Sequence, residues 1–139
     1  MNFVLDSSFA LTWVLKDEAT RETDKALDSL GQGAKAFVPG LWWWEIGNAL
    51  LSIERQQRAT KAEISAHMLL LQSLPMDLDD AALRQAWGAT HLLAQKHRLT
   101  SYDAAYLELA VRRGLPLASL DQALCAAAQA EKLEMLRGK

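Results

Sequence analysis

Four carboxylates stand where they could do chemistry together: Asp6, Glu45, Asp103 and Asp121. Asp6 ends the short apolar run Phe3-Val4-Leu5, and Asp121 comes just past the run ending at Ser119. Glu45 and Asp103 are expected in the first turns of two helices. Hard divalent cations favour carboxylate oxygen, and magnesium keeps several waters while using few protein carboxylates, which leaves room for a substrate phosphate. Four acids converging from separate elements would repel one another without a cation, because like charges a few ångströms apart raise each other's pKa. The set therefore reads as a metal site or as a cluster of partly protonated acids. Taken singly, each acid has a plainer reading. Asp6 and Asp121 suit helix caps, Glu45 suits the positive end of a helix dipole, and Asp103 completes a Thr-x-x-Asp cap. Only their joint placement at one edge of a sheet sets them apart.

That placement depends on the elements. Residues 3–5 read as a buried strand, and Ser7 and Ser8 can cap a helix running through Leu15. A helix is expected over residues 20–30, stopped by Gly31-Gln32-Gly33, then a strand over 36–38 closed by Pro39-Gly40. A long helix follows to about Arg58, with Trp42, Ile46, Ala49, Leu50 and Ile53 as its apolar stripe. Thr60 and Glu63 form a capping-box pattern opening a helix that ends near Pro75. Residues 76–79 are an ambiguous strand. Residues 81–97 read as one amphipathic helix with Leu83, Ala86, Trp87, Thr90, Leu93, Ala94 and His97 on one face. Thr100 opens a helix ending at Gly114. A strand over 115–119 leads to Asp121 and another helix, and residues 133–136 suit a last strand. Short buried strands alternating with helices imply a parallel sheet covered on both faces, with its ligand crevice beyond the strands' carboxyl ends.

The chain has 139 residues, enough for one domain over 1–139, and 50% of them are hydrophobic, enough for a core. No apolar run approaches a membrane span, and the N-terminus lacks the basic start of a signal peptide. The single cysteine, Cys125, excludes an internal disulfide. A reduced, cytoplasmic protein is expected. A net charge of −2 argues against simple phosphate coating but leaves nucleic acid open if cations neutralise the acids.

Several stretches resemble PIN-domain ribonucleases of the VapC toxin type. The first is Leu5-Asp6-Ser7-Ser8-Phe9-Ala10-Leu11-Thr12-Trp13, the second Val38-Pro39-Gly40-Leu41-Trp42 with Glu45 through Leu50. The third and closest is Leu99-Thr100-Ser101-Tyr102-Asp103-Ala104-Ala105-Tyr106-Leu107, and the fourth Leu115-Pro116-Leu117-Ala118-Ser119-Leu120-Asp121. Pro39-Gly40 departs from the more usual Pro-Pro-like turn, and Trp43 and Trp44 are unusually bulky. The resemblance implies a three-layer α/β/α sandwich and Mg2+- or Mn2+-dependent hydrolysis of RNA by an activated water. It also implies a cognate antitoxin; a homodimer is expected as well. It places Asp6, Glu45, Asp103 and Asp121 on the family's acidic positions as catalytic and metal-holding residues. Ser7, Asn48 and Ser119 fall on supporting polar positions. Two alternatives compete. A non-catalytic module on the same fold would use the acidic pocket to receive a basic partner segment. A receiver-type phosphoacceptor would want paired acids after the first strand and a late lysine, and this chain has neither pattern.

The remaining polar residues have bland expectations. His97 suits a packed or boundary position, and Cys125 a buried, inert one. Arg55, Arg58, Lys61, Lys96, Arg98, Arg112 and Arg113 suit solvated helix ends. Successive helical residues lie about 100° apart, so Trp42, Trp43 and Trp44 cannot share one core face, and at least one must point outward.

Overall fold

The computed structural model describes residues 1–137. Its five strands are β1 (Phe3–Leu5), β2 (Ala36–Val38), β3 (Met76–Leu78), β4 (Leu117–Ala118) and β5 (Met135–Leu136). They form one all-parallel sheet in the order β3-β2-β1-β4-β5. Eight α-helices among the described residues flank it: α1 (Ser7–Leu11), α2 (Arg21–Leu30), α3 (Leu41–Arg55), α4 (Lys61–Gln72), α5 (Ala82–Gln85), α6 (Ala89–His97), α7 (Ser101–Arg113) and α8 (Gln122–Ala130). This is the expected three-layer α/β/α sandwich.

Strands this short persist because helices cover both faces. Phe3, Val4, Leu5, Ala36, Val38, Leu117 and Ala118 have no exposed surface, and neither have Tyr106, Leu107 and Leu109 of α7. β1 sits at the centre: Val4 N–H donates to Pro116 O and Asp6 N–H to Ala118 O, while Phe3 N–H donates to Lys35 O. The chain lays β2 and β3 on one side of β1, then crosses back to lay β4 and β5 on the other. The reversal falls between β1 and β4, where open sheets of this kind bind ligands.

Local signals set most boundaries. The Thr20 and Thr60 hydroxyls each accept from a backbone N–H three residues on, at 3.2 Å, and both capping boxes are complete. Thr100 accepts from Asp103 N–H at 3.1 Å and opens α7. Gly114, at φ +64, closes α7 in the left-handed conformation that suits glycine.

Three helices differ from expectation. α1 stops at Leu11, not Leu15. Thr12 donates its hydroxyl to Phe9 O at 2.7 Å, and Trp13 turns into the core, edge-on to Phe9, with its Nε1 donating to Thr23 O at 2.8 Å. α3 ends at Arg55 because Gln57 takes a left-handed φ of 58. The single helix expected over residues 81–97 is two, α5 and α6, with the helical phase lost at Gly88. A shared face requires continuous rotation, so Leu83 and Trp87 end up 86% and 96% exposed while Thr90 stays buried.

The consecutive tryptophans divide as helix geometry demands. Trp42 is buried, Trp43 is 41% exposed and Trp44 75%. Arg112 and Arg113 are exposed in the last turn of α7 as expected, but both are paired. Asp79, just past β3, is buried, and Arg112 donates to its Oδ2 at 2.6 Å while Arg113 donates to Oδ1 at 3.1 Å. Arg112 Nε also donates to the buried Glu108 at 2.8 Å, and the Arg113 guanidinium lies 4.7 Å from the centre of the Phe37 ring. Burial would raise the Asp79 pKa, but the two guanidiniums outweigh it and hold the carboxyl below its ordinary range. Lys96 is likewise paired, with Glu131 Oε2 at 2.7 Å; His97 is half-buried, with its Nε2 2.6 Å from the same oxygen.

Candidate active site

The sheet brings residues from both ends of the chain to the carboxyl end of β1. Asp6 occupies the residue before α1, yet its side chain makes no capping bond, which removes the reading of a simple cap. Its Oδ2 accepts instead from Ser8 Oγ at 2.6 Å and from Ser119 Oγ at 2.7 Å. Ser8 in turn accepts from Leu120 N–H at 3.0 Å, and Ser119 Oγ accepts from Asp121 N–H at 3.0 Å. Two serines thus knit the ends of β1 and β4 around one buried carboxylate.

Glu45 lies one turn inside α3, not in its first turn, because the helix already begins at Leu41. Its Oε1 accepts from the Tyr106 hydroxyl at 2.5 Å and from Ser7 Oγ at 3.3 Å. Asp103 is in the first turn of α7 and partly buried. Asp121 caps α8, its Oδ1 accepting from Leu124 N–H at 2.9 Å, so its capping role is real. The Cys125 thiol is half-buried and donates to Ser119 O at 3.4 Å; burial raises its pKa.

The electrostatics show that the four acids share one region. Burial pushes the Asp6 carboxyl up, the Ser8 and Ser119 hydroxyls offset part of this, and the Asp121 charge adds to it. Burial also raises Glu45; the Tyr106 hydroxyl opposes the shift and the Asp6 charge reinforces it. Asp103 is raised to about 6, by burial first and then by the charges of Asp121, Asp6 and Glu45. Among the described residues, no Lys, Arg or His forms a salt bridge with any of the four. An oxygen-only, uncompensated donor set fits a hard divalent cation. It is an open set: no three acidic, His or Cys side chains among the described residues stand close enough to enclose an ion by themselves. Magnesium, which retains waters and needs few carboxylates, suits such a site.

Asn48 is the expected residue the fold leaves apart. It is exposed on α3, and no hydrogen bond among the described residues joins its side chain to the acids. Ser8 and Tyr106 are the groups sequence reasoning missed. Ser8 reads locally as a helix cap. Tyr106 had a usable signal: it follows Asp103 by one helical turn, and a buried phenol needs a partner for its hydroxyl.

An apolar groove of about 670 Å³ has walls that include Leu41, Trp44, Leu78, Leu83, Thr90 and Tyr102, and none of the four acids lines it. Trp44 and Tyr102 are the chain neighbours of Glu45 and Asp103.

A sequence model of the PIN domain matches residues 3–130. The chain belongs to the PIN-domain family. Toxins of this family are nucleases. No curated protein matches the sequence significantly. Among solved structures, PAE2754 from Pyrobaculum aerophilum superposes with a TM-score of 0.70 at 24% identity, covering 98% of this chain and 92% of that one. VapBC2 from Rickettsia felis, bound to a DNA fragment from its promoter, gives 0.69 at 10% identity over 100% of both chains. FitAcB from Neisseria gonorrhoeae gives 0.63 at 15% identity, covering 98% of this PIN-domain chain and 96% of the other. These likenesses are of fold. No helix among the described residues is long and apolar enough to cross a membrane.

Proposed function

We propose that this PIN-domain protein is the toxin of a type II toxin–antitoxin pair, a cytoplasmic endoribonuclease that hydrolyses RNA phosphodiesters with Mg2+ or Mn2+. One observation carries the reading: Asp6, Glu45, Asp103 and Asp121 lie at the sheet's switch point, the charges of Asp121, Asp6 and Glu45 help burial to raise the Asp103 pKa, and none of the four has a salt-bridge partner among the described residues. Asp6, Glu45 and Asp103 are the principal ligands for the ion, and Asp121 adds a further carboxylate while capping α8. When bound, a divalent cation supplies Lewis acidity, which lowers the pKa of a water and offsets the charge of a phosphate. Ser8 and Ser119 hold the Asp6 carboxylate, and Ser7 and Tyr106 hold that of Glu45, which orients these two ligands toward the ion. Unneutralised, the same acids would repel RNA, so binding of substrate depends on the ion.

Relatives of the same fold that are named as toxin–antitoxin systems support an antitoxin partner. Exposed apolar side chains support protein contacts, with antitoxin and with a second copy in a homodimer: Trp44, Leu69, Leu83 and Trp87 are 75%, 68%, 86% and 96% exposed.

The test is cleavage of a panel of RNAs that includes tRNA, with Mg2+, with Mn2+ and with EDTA. Cleavage should require a divalent ion and leave 5′-phosphate and 3′-hydroxyl ends. Asp6→Asn, Glu45→Gln and Asp103→Asn should each abolish it in a folded protein. EDTA-insensitive cleavage, or full activity in Asp6→Asn, would overturn the mechanism. Ion-dependent cleavage also separates this reading from the non-catalytic module.

A further inference from the structure

Four hydroxyls surround the two best-held acids, and they are not distributed evenly over the carboxylate oxygens. Ser8 and Ser119 both donate to Oδ2 of Asp6. Tyr106 and Ser7 both donate to Oε1 of Glu45. Among the described residues, no side-chain donor reaches Oδ1 of Asp6 or Oε2 of Glu45. Each carboxylate thus takes both of its side-chain donors on one oxygen, and the other oxygen has none.

We propose that Tyr106 is the positioning residue of Glu45: by holding Oε1, it turns Oε2 into the oxygen that meets the divalent cation. This rests on the metal reading above. Three features support it. The Tyr106 ring is fully buried, so its hydroxyl is a fixed donor and not a mobile one. Its hydroxyl makes the shorter of the two contacts on Oε1, 2.5 Å against 3.3 Å from Ser7. It also lies on α7 one turn beyond Asp103, so a single rigid helix supplies one acid and sets the orientation of another. Glu45 would otherwise have its long side chain tethered only by the weaker contact from Ser7, at 3.3 Å. Partners that orient a metal ligand are commonly worth about 10- to 100-fold in affinity.

Mn2+ affinity of the full chain, read from the EPR signal of the free ion, tests the proposal without RNA. Tyr106→Phe keeps the buried ring and removes only the donor. It should weaken Mn2+ binding about tenfold, while circular dichroism and the melting temperature in EDTA report an intact fold. Ser7→Ala should weaken binding in the same sense and by less. A merely structural Tyr106 would lower the EDTA melting temperature and leave Mn2+ affinity alone. A folded Tyr106→Phe protein with wild-type affinity overturns the positioning role and spares the metal reading. If Tyr106→Phe does not fold, unchanged affinity in Ser7→Ala overturns the Oε1 clamp. A wild-type chain that takes up no Mn2+ overturns the metal reading itself, and this proposal with it.

Discussion

The Ser119 hydroxyl donates to Asp6 Oδ2 at 2.7 Å across 113 positions of chain. The bond joins the end of β4 to the end of β1 at the point where the strand order reverses. Ser119 also accepts from Asp121 N–H, so one hydroxyl locks two of the four acids. Ser119→Ala leaves a buried carboxylate short of a donor and the Asp121 N–H without its acceptor. A hydrogen bond to a charged group is worth about 1.5–3 kcal/mol. Urea unfolding at neutral pH should show a loss in that range, and a loss below about 0.5 kcal/mol would contradict the locking role.

The raised acids set a pH dependence of opposite sign to ordinary acid denaturation. The pKa of Asp103 rises from 3.8 to about 6, and those of Asp6 and Glu45 also rise, so above pH 4 the folded state binds more protons than the unfolded chain. The stability contributed by Asp103 is full below pH 4 and is lost as pH climbs through about 6; Asp6 and Glu45 act in the same direction. In EDTA, the melting temperature should therefore fall between pH 4.5 and pH 7.5, by an amount that solvent screening at the partly exposed Asp103 keeps modest. Saturating Mg2+ or Mn2+ should cancel the fall by mass action. Asp103→Asn should flatten it in EDTA. Asp121→Asn should lower the Asp103 pKa, readable from its carboxyl carbon shift by NMR, and should keep α8 capped because Asn caps as well as Asp.

The ion cluster at the end of α7 makes a different prediction. Arg112 is the shared partner of Asp79 and Glu108, both buried. Removing one member of a buried pair costs about 3–5 kcal/mol, because the charge left behind is uncompensated. Arg113 still reaches Asp79, so Arg112→Met should cost about 3 kcal/mol in urea unfolding, at the lower end of that range. Asp79→Asn in the Arg112→Met background should recover part of the loss. An additive double variant would show that the pair is not coupled.

The exposed face of α5–α6 tests the homodimer. Trp87 is 96% exposed and Leu83 86%. If a second copy covers them, Trp87→Glu should convert a dimer to a monomer in light scattering after size exclusion, and acrylamide quenching of wild-type tryptophan should increase on dilution. A wild-type monomer at all concentrations would remove the homodimer, and an undisturbed dimer in Trp87→Glu would place its interface elsewhere.

Signals that act within a few residues were legible in the sequence. Thr20, Thr60 and Thr100 opened helices because a cap satisfies backbone N–H groups only three positions away. β1, β2 and β4 were readable as apolar runs with breakers, β3 only as an ambiguous strand because Asp77 interrupts it, and the acids' positions past strands or near helix starts followed from these runs. What was not legible depended on distance through space. The pairing of Asp79 with Arg112 and Arg113, and of Tyr106 with Glu45, joins elements whose separation the sequence does not encode locally. Pattern also failed at Gly88, where periodicity over residues 81–97 continued through a break in the helix and assigned Leu83 and Trp87 to the core. The sequence by itself determined which residues carry charge and where elements begin. Only the tertiary structure decided which oxygen each hydroxyl holds, because a hydrogen bond forms by position to within tenths of an ångström, and that position is set by the packing of β1, β4, α3 and α7 together.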